Sequence, residues 1–454
     1  MKKIIYILGL VFLLTSCSKD FLEIEPVSDF NSEDFYKTEG EFNAALTGAY
    51  AKLQGQVSIY FELSEWRSDY LDLAAPTAGT QDRYDICKFQ DNSANGLITS
   101  AWANYYNGIL RCNVITDNLA GATLDESFKK QIEGEARFIR ALTYFNMVRL
   151  WGDVPIILKQ VTPDESLAIG RSPVADVYQV IESDLLFAKD NLKLTNNGRA
   201  TSGAAKALLG KVYLTQKKYS EAITLLSELI GQYALLPNIA DVFSTTNKQN
   251  KELIFSIQFY KGISAEGHGL WFSVSDVTTT PNTLKIQKAY ETVDTRKAMF
   301  DYTLAGPKNN IFVPGKFFDT PTNNNYGNDY TILRYADVLL MLSESLNEQS
   351  YQPAGTAFDY LNEVRKRAKL TPLTATDLPN QGSFRDAVLQ ERFLEFPFEG
   401  HRWFDLIRTN TAAKEIKTGI GINILPFQLL YPVPQTEIQK INNPSIFYQN
   451  EGYN

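Results

Sequence analysis

The chain has 454 residues, of which 44% are hydrophobic and 12% aromatic, so it has enough apolar material for a large buried core. Acidic side chains number 52 and basic side chains 44, which gives a formal net charge of -8 at pH 7. This acidic balance disfavours contact with a phosphate backbone, and we therefore exclude nucleic acid as a partner.

The N-terminal residues predict export and a lipid anchor. Lys2 and Lys3 precede an apolar run at 4–14, which is too short to cross a bilayer that needs about 20 residues. The run ends in Leu-Thr-Ser-Cys at 14–17, which resembles the lipobox of bacterial lipoproteins. We interpret 1–16 as a signal peptide and Cys17 as the lipidation site, so the mature protein should stay on its membrane. The alternative is an ordinary signal peptide with an incidental cysteine.

Helical spacing of apolar residues recurs along the chain and organises its middle part. It covers 38–54, 99–119, 124–151 and 174–192. The first clear helix pair follows at 204–230, which matches a tetratricopeptide repeat. Counted from the small residue Gly210, Leu209 lies one position before, Tyr213 three after and Ala222 twelve after.

A weaker copy of this spacing spans 333–368, with small Ser343 followed by Leu346 and then Ala357. Several such pairs should stack as a short solenoid, because one pair cannot bury its own apolar face. The predicted fold class is therefore mainly α. The helical scaffold is expected at about 38–54, 99–230 and 331–409, followed by a C-terminal segment at 410–454.

Two long segments of different composition interrupt the scaffold, at about 55–97 and 231–330. They are rich in Gly, Pro, Asn, Thr and aromatic residues, with one strand-like run at 252–258. Long irregular insertions are usually functional or disordered, and disordered segments are poor in aromatics. We expect these two segments to fold as an irregular, ligand-binding lobe against the helices.

Besides Cys17 the chain has only Cys87 and Cys112, which allow one disulfide or two buried thiols. We favour buried thiols, because Cys112 lies in a helical pattern where cysteine acts as a small hydrophobe.

The motif HRWFDLIR at 401–408 places Arg402, Asp405 and Arg408 at intervals of three, so each arginine could pair with the one carboxylate. His401 within it is expected to be a hydrogen-bonded structural residue rather than a base or ligand.

Five stretches together resemble one known family, the SusD/RagB nutrient-binding lipoproteins of Bacteroidetes outer membranes. They occur in the family's order and span nearly the whole mature chain: CSKDFLE at 17–23, EARFIRALTYF with WGDVP within 135–155, LRYADVLLM at 333–341, ERFLE with FEGHRWFDLIR within 391–408, and YPVP with the later EI and NP pairs within 431–444. The resemblance implies a tetratricopeptide-like scaffold that carries an irregular lobe. It also implies a cell-surface role in which the protein delivers a nutrient to a SusC-like TonB-dependent transporter barrel and closes over it as a lid.

The sequence lacks the usual signatures of catalysis. It has two histidines and no CxxC, HExxH, GxSxG or GxxxxGK motif, so we expect no metal, no cofactor and no enzymatic activity. A glycoside hydrolase needs only two carboxylates and stays as an alternative. A tetratricopeptide scaffold for protein or peptide binding is the runner-up to nutrient capture.

A glycan is held by an aromatic ring that packs on its C–H face and by polar side chains that bind its hydroxyls. Rings on irregular segments are the candidates, because rings at helical core spacing are buried. This criterion selects seven residues as the ligand-binding set: Trp66, Asp72, Arg83 and Tyr84 in the first insertion, and Trp271, Phe272 and Tyr326 in the second. We expect at least two of them to line one shallow cleft. The sequence does not separate an oligosaccharide from a peptide as the ligand.

Overall fold

A computed structural model describes residues 35–73, 75–76, 79–263, 266–268, 286, 288–299, 303–304, 311–312, 315–317, 319 and 326–453. Helices dominate these residues, which confirms the predicted fold class. We number them α1 to α14 in chain order: Glu39–Glu65, Gln81–Cys87, Gly96–Gly121, Glu126–Trp151, Pro163–Leu167, Val174–Asn191, Ser202–Thr215, Tyr219–Ser227, Tyr335–Gln349, Thr356–Arg367, Gln381–Glu395, Arg402–Arg408, Ala412–Ile420 and Gln435–Ile441. Within the described residues, every helix is too short or too polar to cross a bilayer.

The first helix is longer than predicted. Thr38 caps its N-terminus by accepting from the Glu41 backbone N–H, while the Glu41 carboxylate accepts from the Thr38 N–H at 2.8 Å. The helix was expected to end at 54, but it continues to Glu65 because Val57 and Phe61 extend its buried face. The treatment of 55–97 as one irregular segment obscured this local helical spacing. The assignment of that segment and of 231–330 to a separate lobe stays a prediction.

The long helices pack in series, each against the next. Contacts run from α1 to α3, α4, α6, α7, α8 and α9, and α9 then packs on α10 and α11. In the pair α7 and α8, a Cβ added at Gly210 would lie 2.5 Å from Leu226, so only glycine allows this approach. In the pair α9 and α10, Ser343 Oγ donates to the Ala357 carbonyl at 2.8 Å. Both predicted helix pairs are confirmed.

The strand-like run at 252–258 is confirmed as β1, Leu253–Ile257. The strands in chain order are β1, then β2 and β3 at Thr303–Leu304 and Ile311–Phe312, and β4 at Tyr330–Arg334. The first and the last pair antiparallel, with Ile257 opposite Tyr330. This pairing places the residues after β1 beside the start of β4, against the middle of the helical scaffold.

A buried ion-pair network fastens the irregular segments to α11. Arg334 on β4 donates through Nε to Glu399 at 2.7 Å and through Nη1 to Glu252 at 3.0 Å. Lys316 donates to the same Glu399 at 2.6 Å. Burial alone would raise the pKa of Glu395 at the end of α11, but the surrounding guanidinium groups outweigh burial and hold that pKa well below its usual range. Such a cluster requires every charge to keep its partner.

The predicted sharing of Asp405 by two arginines of one helix is half right. Arg408 donates to Asp405 at 2.9 Å, as expected, but the second partner is Arg392 on α11, at 2.8 Å. The expected pair between Arg402 and Asp405 is wrong, because Arg402 donates instead to Asp69 at 2.7 and 2.9 Å. Asp69 is fully buried and would be costly without a cation beside it.

His401 and the two cysteines behave as structural residues. His401 is buried, with Nδ1 lying 2.9 Å from the Lys211 ammonium. Burial, reinforced by Lys211, holds the pKa of His401 well below its usual range, so the ring is neutral. Cys87 and Cys112 are both free and buried, as favoured from the sequence, and burial raises the pKa of each thiol to about 12.

Candidate functional site

The ligand-binding residues predicted in the first insertion lie around α2 and the chain that leads to it. Arg83 on α2 donates through Nε to Glu62 at 2.6 Å, and its guanidinium carbon lies 5.3 Å from the centre of the Trp66 ring. Glu62 and Trp66 are four residues apart at the end of α1 and therefore share one face. Arg83 thus makes both an ion pair with Glu62 and a cation–π contact with Trp66.

Asp72 and Tyr84 are brought together through Lys88. Lys88 forms an ion pair with Asp72, and its ammonium lies 5.8 Å from the centre of the Tyr84 ring. The Cys87 thiol also lies 3.4 Å from the Asp72 carboxylate. Six residues on and around α2, in these two contacting sets, are called the α2 cluster: Glu62, Trp66, Asp72, Arg83, Tyr84 and Lys88.

Trp66 is not the exposed ring that the sequence predicted. Only 4% of its surface is exposed, because it packs in the core at the end of α1. Tyr84 is half-buried and is the ring of this cluster that keeps an accessible surface; Asp72 and Arg83 are half-buried as well. The expectation of exposure at Trp66 was wrong, and the ligand-binding role of all four residues stays a prediction.

In the second insertion, the described candidate ring is Tyr326, and it is buried. Tyr326 is only 3% exposed, and its ring stacks on His268 with centres 5.4 Å apart and planes 10° from parallel. The backbones of the two residues also exchange hydrogen bonds of 3.0 and 2.9 Å. This bridge buries Tyr326, so the exposed ring expected there is wrong as well. Trp271 and Phe272 lie outside the described residues.

The base of the α2 cluster is rigid. Arg67, next to Trp66, is fully buried, and its guanidinium lies 4.3 Å from the Phe89 ring and 4.5 Å from the Tyr431 ring. It also donates to the Gln428 carbonyl at 2.8 Å. The C-terminal segment therefore contacts both Arg67 and Phe89, which lie at the two ends of the stretch that carries most of the cluster. These contacts fix the position of side chains that could bind a ligand.

Sequence reasoning missed Glu62 and Lys88. Glu62 lies in the part of α1 beyond the predicted helix end, and the signal that could have found it is the helical spacing from Val57 to Trp66. Lys88 directly follows α2, where a cation is favoured by the helix dipole. Both carboxylates of the cluster are engaged by cations, and no cluster of metal-binding side chains occurs within the described ranges.

The buried carboxyl of Glu65, next to Trp66, has a raised pKa. Glu65 Oε1 accepts from the Gly400 backbone N–H at 2.6 Å and is fully buried. Burial raises the pKa of Glu65 to about 8, although the backbone N–H groups of Gly400 and Phe398 pull it down. The group lacks access to solvent, so we assign it a role in folding rather than in chemistry on a ligand.

Two family models match most of the chain. The model described as the SusD family matches 292–453, and a SusD-like model described as starch-binding and associating with the outer membrane matches 20–214. The chain belongs to the SusD family. Residues 1–18 match the prokaryotic membrane lipoprotein lipid attachment site, so this SusD family member is a lipid-anchored outer-membrane protein. Cys17 itself lies outside the described residues, and its acylation stays a prediction.

Similar proteins cover nearly the full length of this SusD family member. A SusD-like protein of Formosa agariphila is 28% identical over 99% of this chain and 100% of its own. A SusD superfamily structure from Bacteroides vulgatus is 24% identical with a TM-score of 0.79, over 92% of this chain and all of the other. A laminarin-binding SusD-like protein is 25% identical with a TM-score of 0.75, over 92% of this chain and all of the other.

Proposed function

We propose that this protein captures a glycan at the cell surface and passes it to a SusC-like TonB-dependent transporter, without catalysing a reaction. The observation that carries the proposal is the α2 cluster, in which the accessible Tyr84 ring lies 5.8 Å from the Lys88 ammonium that pairs with Asp72, and Arg83 lies on the same helix as Tyr84. The binding of laminarin by a similar SusD-like protein supports a glycan as the ligand class.

The chemistry of the cluster suits a sugar. A pyranose places C–H groups on one face and hydroxyls around its edge, so it needs one ring to pack on and planar polar groups beside that ring. Tyr84 supplies the ring, while the guanidinium of Arg83 and the carboxylate of Asp72 supply donors and acceptors in fixed positions. These fixed positions reduce the entropy lost on binding.

Calorimetric titration of the detergent-solubilised lipoprotein with a panel of glycans and peptides tests the ligand class. We expect a glycan to bind and Tyr84→Ala to weaken it by about 1 to 3 kcal/mol, the range for loss of one stacking platform. Tyr213→Ala is a matched control, because Tyr213 is also half-buried with a lysine ammonium 5.5 Å from its ring, on the helical scaffold. Binding of peptides alone would contradict the proposal.

The transporter and the outward orientation follow from the family and require their own experiment. A lid that opens and closes should contact the barrel through an interface of at least standard size, with a partly polar surface. Affinity purification from detergent-solubilised outer membrane should therefore recover a large barrel protein. Protease added to intact cells should cleave the lipoprotein if it faces outward. Purification without any barrel protein would contradict delivery, and full protection from protease would contradict surface exposure.

A further inference from the structure

A cavity of about 420 Å³ lies at a distance from the α2 cluster, between the middle of α1, the turn that precedes α7, and β1 with the residues after it. This volume is in the usual range for small-molecule sites. We call it the Tyr260 groove, after the ring at its edge. The lining residues that matter here are Gln54, Asn197, Gln249, Ser256, Gln258 and Tyr260.

Several polar groups of the groove have no partner in the protein. Within the described part of the chain, the side-chain amides of Asn197, Gln249 and Gln258 make no hydrogen bond. The hydroxyl of Ser256 on β1 is buried and also has no partner among the described residues. The three amides are exposed and can donate to and accept from a ligand in place of water, whereas the Ser256 hydroxyl is covered by the protein.

The charged groups of the groove, by contrast, are occupied. Lys248 donates to Asp329 at 2.7 Å, and Arg199 donates to Thr47 at 2.7 Å. The carboxylate of Glu266 accepts from a side chain of α1 at 3.2 Å. The groups left for a ligand are therefore neutral amides, which favours an uncharged ligand rich in hydroxyls.

An aromatic platform completes the groove. Tyr260 is 58% exposed, unlike the buried rings of Trp66 and Tyr326. Beside it the Gln258 amide lies against Gly198, where an added Cβ would come 1.6 Å from Gln258 Nε2 and where φ is +79°. Glycine at 198 therefore leaves the space that the amide occupies.

We propose that the Tyr260 groove is a second saccharide-binding site, for an uncharged oligosaccharide that packs on Tyr260 and binds the amides. The choice of a saccharide as the ligand rests on the proposed function, but the groove shares no residue with the α2 cluster. Gln54 in the groove and Trp66 in the α2 cluster are both at α1, twelve residues apart, which corresponds to about 18 Å along the helix axis.

The test titrates the detergent-solubilised lipoprotein with hexaoses of glucose, mannose, xylose and galactose. Tyr260→Ala should lower the affinity for the bound hexaose roughly 5- to 150-fold, the loss expected for one stacking platform. Gln249→Ala should lower it about 2- to 12-fold, the loss expected for one neutral hydrogen bond. Because the Gln249 amide is exposed and has no protein partner among the described residues, Gln249→Ala should leave the unfolding midpoint in urea unchanged. Tyr448→Ala, at a 40% exposed ring outside the groove, is the control.

The outcomes separate the two sites. Full affinity in Tyr260→Ala and Gln249→Ala, with a loss in Tyr84→Ala, would overturn the groove and leave the proposed function standing. A loss in the groove variants with full affinity in Tyr84→Ala would support the groove and remove the α2 cluster as the site. If no hexaose binds the unaltered protein, the glycan proposal fails and the groove fails with it.

Discussion

Arg83 and Glu62 form a two-point contact between α2 and α1, with Nε of the arginine 2.6 Å from a carboxylate oxygen and Nη2 directed at the other. The contact holds the guanidinium plane above Trp66 in a fixed orientation. We predict that Arg83→Lys lowers glycan affinity, because lysine keeps the charge but cannot form this planar fork. The expected loss is roughly 10- to 150-fold by calorimetry, in keeping with about 1.5 to 3 kcal/mol for a lost hydrogen bond to a charged group.

Arg385 offers the matched control. It makes the same two-point contact with Glu348, at 2.7 and 2.6 Å, on the helical scaffold. Arg385→Lys should leave glycan affinity unchanged, and both variants should lose less than about 1 kcal/mol of unfolding free energy, as for partly exposed ion pairs. Equal affinities in the two variants would remove Arg83 from the binding site.

Gly210 tests the packing of the helix pair. We predict that Gly210→Ala lowers the free energy of unfolding by about 1 to 3 kcal/mol, because the new Cβ would lie 2.5 Å from Leu226 on α8. Gly121→Ala at the end of α3 is the control, since nothing lies within 4 Å of its added Cβ. That change should be neutral or stabilising by up to about 1 kcal/mol. Urea denaturation measures both, and a stabilising Gly210→Ala would show that the helices do not approach as described.

Glu65 should make stability depend on pH. Its folded pKa of about 8 is above the ordinary value of 4.5, so the folded state binds more protons than the unfolded state between these values. The stabilising contribution is complete below pH 4.5 and is lost as the pH rises through 8. We predict that Glu65→Gln has the same free energy of unfolding as the unaltered protein near pH 4.5 and a higher one at about pH 8.5. The reason is that each pKa unit by which the folded state raises the pKa lowers the stability of the ionised form by about 1.4 kcal/mol.

Urea denaturation at the two pH values measures this effect, with Glu451→Gln at an exposed position as the control. Parallel stability curves for the Glu65 variant and the unaltered protein would contradict a raised pKa at this carboxyl.

Cys17 is the predicted point of lipid attachment. Cys17→Ala should abolish metabolic labelling with palmitate and release the protein from the outer-membrane fraction, because acylation of this cysteine supplies the anchoring chains. Cys112→Ala is a control that should keep the label, since that thiol is buried in the scaffold. Palmitate labelling that persists in Cys17→Ala would place the lipid elsewhere.

The sequence predicted the helical scaffold well because its signals are local. The spacing around Gly210 and Ser343 reports directly on the close approach of paired helices, which the structure confirms at Leu226 and Ala357. Contacts between residues distant in the chain were not predicted. Arg402 pairs with Asp69, more than three hundred residues away, and local spacing pointed to Asp405 instead.

The candidate site was predicted only in part, for a related reason. The choice of Trp66 and Tyr326 assumed that rings on irregular segments are exposed, but Trp66 ends a buried helix and Tyr326 bridges to His268. The exposed Tyr260 also lies in the second insertion but was not selected from the sequence. The exposure of an aromatic side chain depends on tertiary packing, which the spacing of residues in the sequence does not predict.

Retention of a fluorescently labelled glycan by intact cells tests the central claim most directly, using the glycan that binds best in calorimetry. Cells that produce the protein should retain the label, whereas cells that produce Tyr84→Ala should retain much less at the same surface level of protein. Prior protease treatment of the cells should abolish retention. Equal retention by cells with and without the protein would contradict capture of a glycan at the cell surface.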